Sequence, residues 1–177
     1  YKINFKPRLC DPEGAYMKYN WASLGLIVLI ALIMLIIFGS RWYNTEYAHA
    51  KNLGLSKGQL IECGKNPNCV SSQTTQSSMR IAPINASDTP ELTWLMLRDL
   101  VETIPQAILI SGNESYRHYQ FTTPLMGFID DVELLFDRKK QLIQVKSASR
   151  VGQSDFGANR KRVELLRKGL NKALSPK

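Results

Sequence analysis

The chain has 177 residues, a formal net charge of +8 and a pI near 9.5, which suits one ordinary domain plus an anchor. The positive charge is spread over a tail, loops and the last helix, with no aromatic-interleaved basic motif, and this excludes a nucleic-acid-binding role. Such a surface suits anionic headgroups or an acidic partner instead.

Residues 1–18 are a short polar tail, too small to fold alone. Residues 19–42 read as a transmembrane helix. The run 22–38, ASLGLIVLIALIMLIIF, is apolar, and no charge occurs between Tyr19 and Ser40. At about 1.5 Å per residue, roughly 20 apolar residues cross a bilayer core of about 30 Å. Tyr19 and Trp21 at one end, and Trp42 and Tyr43 at the other, are expected at headgroup level, with Lys18 and Arg41 reaching towards water. A buried core helix is rarely apolar on all faces. A signal peptide has a shorter apolar core and a small-residue cleavage site, which Gly39-Ser40-Arg41-Trp42 does not offer.

Lys2, Lys6, Arg8 and Lys18 precede the span, and Arg41, Lys51 and Lys57 follow it, which tips the positive-inside rule towards a cytoplasmic N-terminus. The expectation is a single-pass protein of a bacterial inner membrane with its C-terminal domain in the periplasm.

Residues 43–80 form a stem and a polar loop, helix-compatible to about residue 60 and then turn-rich, with the run SSQTTQSS. Cys63 and Cys69 flank a Gly/Pro/Asn turn that would bring them together. A disulfide there requires an oxidising compartment and leaves Cys10 on the reducing side. Two unpaired thiols, or half a metal site, are the alternatives, but no further ligand cluster accompanies them.

Residues 81–177 form the soluble domain. Asp88-Thr89-Pro90-Glu91 starts a helix whose apolar positions are Leu92, Leu95, Met96 and Leu100. Four strand-like runs follow. Ala107–Ile110 is apolar. Tyr116–Thr122 alternates, with Tyr119 and Phe121 opposite His118 and Gln120. Phe128–Phe136 sets Val132, Leu134 and Phe136 opposite Asp131 and Glu133, and Asp137–Lys140 turns the chain into Leu142–Ser149. Short connections favour antiparallel pairing. Ser154-Asp155 caps a last helix with the stripe Val163, Leu166, Leu170 and Leu174. The fold class is therefore α+β: an N-terminal transmembrane helix, then an antiparallel sheet of about four strands with helices on one face.

Several constellations invite chemistry. Ser71, Ser72, Ser147 and Ser149 with His118 and Asp130 or Asp131 contain the residue types of a hydrolytic triad, but no Gly-x-Ser-x-Gly elbow is present. Asp130, Asp131 and Glu133 do not form a dyad by adjacency, because neighbours on a strand face opposite ways. They are expected to act structurally, pairing with Arg150 or Arg162. The stretch 149–162 is a strand end, a glycine-punctuated loop and a helix start, where Arg150, Ser154, Asn159, Arg160 and Arg162 would hold an anion or touch a partner. The competing and preferred reading has Asp155 capping the helix while the arginines pair with the acids. No pattern calls for a metal or a cofactor.

Three motifs in order, PNCVSSQ (67–73 with Asn66 before it), GFIDDVE (127–133) and SASRVGQSDFGANRKRVE (147–164), resemble the bacterial and plastid-associated family known as domain of unknown function 1499. The likeness covers residues 63–170 and leaves the tail and the span outside. It implies a domain and carries no activity.

The functional expectation is a non-catalytic accessory or structural subunit of a larger membrane complex. Small residues in the span (Ala22, Ser23, Gly25, Ala31, Gly39) offer places for a neighbouring subunit to pack. The alternatives are a binding module for an anionic lipid or small metabolite and, further down, a hydrolase.

Overall fold

A computed structural model describes residues 21–86 and 89–175, and the chain divides into two compact units, Tyr1–Ile36 and Ile37–Lys177. The tail 1–18, the anchor Tyr19 and the capping candidate Asp88 lie outside the described residues. In the first unit the described chain is the beginning of α1 (Trp21–Tyr47), and every side chain from Trp21 to Ile36 is exposed. α1 is long and apolar enough to cross a membrane, a test that a signal sequence also passes.

The second unit contains the last turns of α1, a small hairpin, the main sheet and two further helices. The hairpin is β1 (Leu55–Ser56) with β2 (Gln59–Leu60). The sheet comprises β3 (Cys69–Ser71), β4 (Ile84–Asn85), β5 (Ala107–Gly112), β6 (Tyr116–Thr122), β7 (Ile129–Asp137) and β8 (Leu142–Ser149). Its order is β3-β8-β7-β6-β5, with β4 also pairing to β8, and all pairs are antiparallel. The four expected strands are β5 to β8. β3 and β4 come from stretches too short to show a period of two, so the region expected as a surface loop supplies one edge of the sheet.

One face carries the core. Tyr119, Phe121, Val132, Leu134, Phe136, Ile143 and Val145 point from the sheet towards α2 (Pro90–Glu102) and α3 (Ala158–Leu174). Val163, Leu166 and Leu170 of α3 are buried, as their spacing predicts. α2 meets the expectation in half: Met96 and Leu100 pack against the core, but the fully buried apolar face is Trp94, Leu97 and Val101, while Leu92 and Leu95 are exposed. Two apolar phases compete along this helix. Trp94 decides between them by stacking on Phe136, ring centroids 5.7 Å apart.

α3 begins at Gly157, whose φ of 81° lies in the left-handed region open to glycine. Gly157, not Asp155, is the N-cap; Asp155 stands two residues earlier, and its carboxylate accepts from the amides of Gly157 (3.0 Å) and Asn159 (2.8 Å), so it still satisfies a helix-start donor.

Candidate functional site

The other face of the sheet is turned away from α2 and α3. Because side chains alternate, Tyr116, His118 and Gln120 of β6, Asp131 and Glu133 of β7, and Lys146 of β8 share this face. The register sets His118 opposite Glu133, Gln120 opposite Asp131, and Glu133 opposite Lys146. The segment from Ala48 to Gly54 covers them, so Asp131, Glu133 and Lys146 are each buried.

Ionised groups withdrawn from water must be paired, and here each one is. Lys146 Nζ bonds Glu133 Oε2 at 3.0 Å and also donates to the carbonyl of Asn52. Glu133 Oε1 accepts from the Tyr116 hydroxyl and from the Gly54 amide, both at 2.6 Å. Arg150 grips Asp131 with two bonds, Nε to Oδ2 at 2.9 Å and Nη2 to Oδ1 at 2.8 Å, and reaches Gln120 Oε1 and the Ala48 carbonyl, each at 3.2 Å. His118 Nε2 lies 2.7 Å from Asp131 Oδ1.

Burial pushes the Asp131 carboxyl upward, but its bonds to Arg150 and His118 outweigh that and hold it below the usual carboxylate range. Burial, and then the bond to Glu133, pushes the Tyr116 phenol well above its ordinary value.

Beside this charged floor opens a cavity of about 510 Å³. Its cationic lining is Lys51, Lys65, Lys146 and Arg150, joined by His49, and the one carboxylate lining it is Asp131. Lys51 and Lys65 are exposed and make no ion pair among the described residues. Part of the rim is the loop from Gly64 to Asn68. Cys63 and Cys69 hold its two ends, their Sγ atoms 2.01 Å apart at disulfide distance. Asn68 Nδ2 ties the rim to the carbonyls of Ser149 (3.2 Å) and Gly152 (2.8 Å).

The five residues expected to form one anion or partner corner are not one site. Arg162 lies on the helix-covered face, where it bonds Asp130 at 2.5 Å and Asn159 Oδ1 at 2.7 Å. Asn159 is buried and bonded to Ser147, Ser149 and the Asn68 carbonyl. Arg160 donates to the carbonyls of Ser78 and Arg80. Ser154 Oγ accepts from the Phe156 amide. Only Arg150 reaches the cavity. Asp130 and Asp131 do pair with arginines, on opposite faces, whereas Glu133 pairs with Lys146 instead.

The candidate serines are likewise bonded away from His118. Ser147 and Ser149 meet Asn159 on the helix side, Ser72 bonds Gln144, and Ser71 accepts from the Gln73 amide. No group of three or more His, Cys, Asp or Glu among the described residues is arranged to hold a metal.

Of the membrane-interface anchors, Trp21, Trp42 and Tyr43 are exposed. Arg41 is engaged by the domain, donating from Nη1 to the Pro124 carbonyl at 2.7 Å. The cavity residues that sequence reasoning missed are His49, Lys51, Lys65 and Lys146. Lys146 offered a signal, as the lone cation inside an apolar strand; the other three lie in irregular chain that carries no periodicity.

The fold and site define a small α+β domain with a cation-lined cavity, following one apolar helix. Residues 59–170 match the family model described as Protein of unknown function (DUF1499), and the chain belongs to that family. No curated protein and no solved structure matches it.

Proposed function

We propose that the chain is a membrane-anchored binding module that holds a small anionic ligand, a phosphate or carboxylate compound, over the face of its sheet turned away from α2 and α3. The observation that supports this most is the cavity of about 510 Å³, into which Lys51 and Lys65 bring charge that has no ion-pair partner among the described residues. Lys146 and Arg150 are already paired, so they shape the floor while the two free lysines supply the attraction. α1 serves as the anchor. The cysteine pair and the flanking charges favour a cytoplasmic N-terminus and a domain on an oxidising, periplasmic-type side.

The test is calorimetric titration with inorganic phosphate, a phosphomonoester and a dicarboxylate. Lys51→Glu together with Lys65→Glu is expected to weaken the bound compound about tenfold or more, since a charge-assisted bond contributes about 1.5–3 kcal/mol. Binding by none of the three, or equal binding by the double variant, would end this reading.

A second reading, the accessory subunit of a membrane complex, is favoured by one feature. β5 is an outer strand of the sheet, and Ile108, Leu109 and Ile110 on it are exposed. An open apolar edge is a template for a partner's strand. Ile108→Lys should then release a partner that co-purifies with the native chain after gentle detergent extraction. A lone protomer in both samples counts against it.

A further inference from the structure

Two loops flank α1 where its apolar run ends. The first, Thr123–Phe128, lies against the turn from Ser40 to Asn44. Ser40 Oγ donates to the Met126 carbonyl at 2.7 Å, Asn44 Nδ2 to the same carbonyl at 3.2 Å, and Arg41 to the Pro124 carbonyl. The contact is close enough that a Cβ on Gly127, where φ is +68°, would stand 3.0 Å from Arg41 Cγ. The second loop, Val151–Phe156, meets the same turn across a cavity of about 590 Å³. Tyr43, Met126, Phe128, Val151, Phe156 and Ala158 give this cavity an apolar lining. Its Asp130 is already bonded to Arg162.

The loops display apolar side chains where a domain surrounded by water has no use for them. Phe156 is 99% exposed, and its backbone takes the left-handed φ of 52° that favours glycine. Leu125 and Phe128 are exposed on the neighbouring loop, and Trp42 and Tyr43 on the helix between them. The apolar run stops at Phe38, so Ser40 to Asn44 is the level at which a membrane-spanning α1 passes through the headgroups.

We infer that this surface is a lipid-docking site: Leu125, Phe128 and Phe156 enter the boundary between headgroups and acyl chains, and the cavity beside Tyr43 takes a segment of acyl chain from a bilayer lipid. The inference rests on the reading of α1 as a membrane anchor and adds that the domain itself is seated in the interface. Large apolar rings at headgroup level are the chemistry that interfacial proteins use. The helix turn lining the cavity is continuous with the run that would lie in lipid, which makes lipid the occupant at hand.

The test uses the full chain in nanodiscs of phosphatidylethanolamine and phosphatidylglycerol, with a photo-crosslinking p-benzoylphenylalanine placed singly at Phe156, Leu125, Leu35 or Leu92. Leu35 reports the span itself. Leu92 is an exposed control beside Glu91, which reaches Arg138 in the β7–β8 turn at the far end of the sheet. Lipid adducts at Phe156 and Leu125 comparable to those at Leu35, with loss of the adduct at Leu92, are expected. Adducts at Leu35 alone would overturn the lipid-docking site and leave the anchor standing. Adducts at none of the four would overturn both. Capture of protein instead of lipid at Phe156 would assign the surface to a subunit contact and overturn the inference.

Discussion

Asp131 is the residue on which the charged floor turns, since it joins His118, Arg150 and, through Arg150, the carbonyl of Ala48. Asp131→Asn keeps the shape and removes the charge, leaving the guanidinium largely buried without its counter-ion. A loss of about 3 kcal/mol in urea unfolding is expected. The sign of the pH effect follows from the lowered pKa. The stabilisation from Asp131 is fully present above the unfolded carboxylate value of about 3.9 and is lost as pH falls through the lower folded value. The gap between native and variant unfolding midpoints should therefore begin to narrow below about pH 4 and close as pH falls through the lower folded value, and a gap that does not narrow over that fall would show that charge is not the cause. Charge reversal at Arg150 would damage this same pair, so Lys51 and Lys65 are the residues to change when binding is the question. The arginine pairings of Asp130 and Asp131 were legible in the sequence, because adjacent strand residues must face opposite ways and two arginines follow. The partner of Glu133 was not, because cross-strand register decides it and a one-residue slip would have changed it.

At the scale of elements, the long strands were readable and the short ones were not. β6 shows Tyr119 and Phe121 against His118 and Gln120, and the structure buries the first pair in the core and directs the second to the charged face. β3 and β4 have three and two residues, too few to display alternation. α2 was readable as a helix but not in its rotation, because leucines occupy both faces and docking selects the one bearing Trp94. Leu97→Ala is expected to destabilise by about 3 kcal/mol, whereas Leu95→Ala should stay within about 0.5 kcal/mol. Equal losses in thermal or urea unfolding would mean that the helix sits in the other phase.

For the whole molecule, the first question is whether α1 stays with the mature chain. If it is an anchor, intact mass of protein extracted from membranes with mild detergent should include the residues from Ala22 to Phe38. A mature chain starting beyond Phe38 would identify a removed signal sequence and release the domain from the bilayer. The two cavities of the second unit adjoin, sharing Tyr43, Ser149, Val151 and Gly152 in their linings, one cationic beside the charged floor and one apolar, so a ligand of each must be told apart by its chemistry. The segment over the charged floor gives its Ala48 and Asn52 carbonyls to Arg150 and Lys146, and its Gly54 amide donates to the buried Glu133 carboxylate. That amide hydrogen can trade with deuterium from solvent only while the segment is lifted and a paired carboxylate is laid open to water. Its exchange rate is therefore a clock for the lifting of the segment that carries His49 and Lys51 to the cavity rim, and a compound held there by Lys51 should slow it.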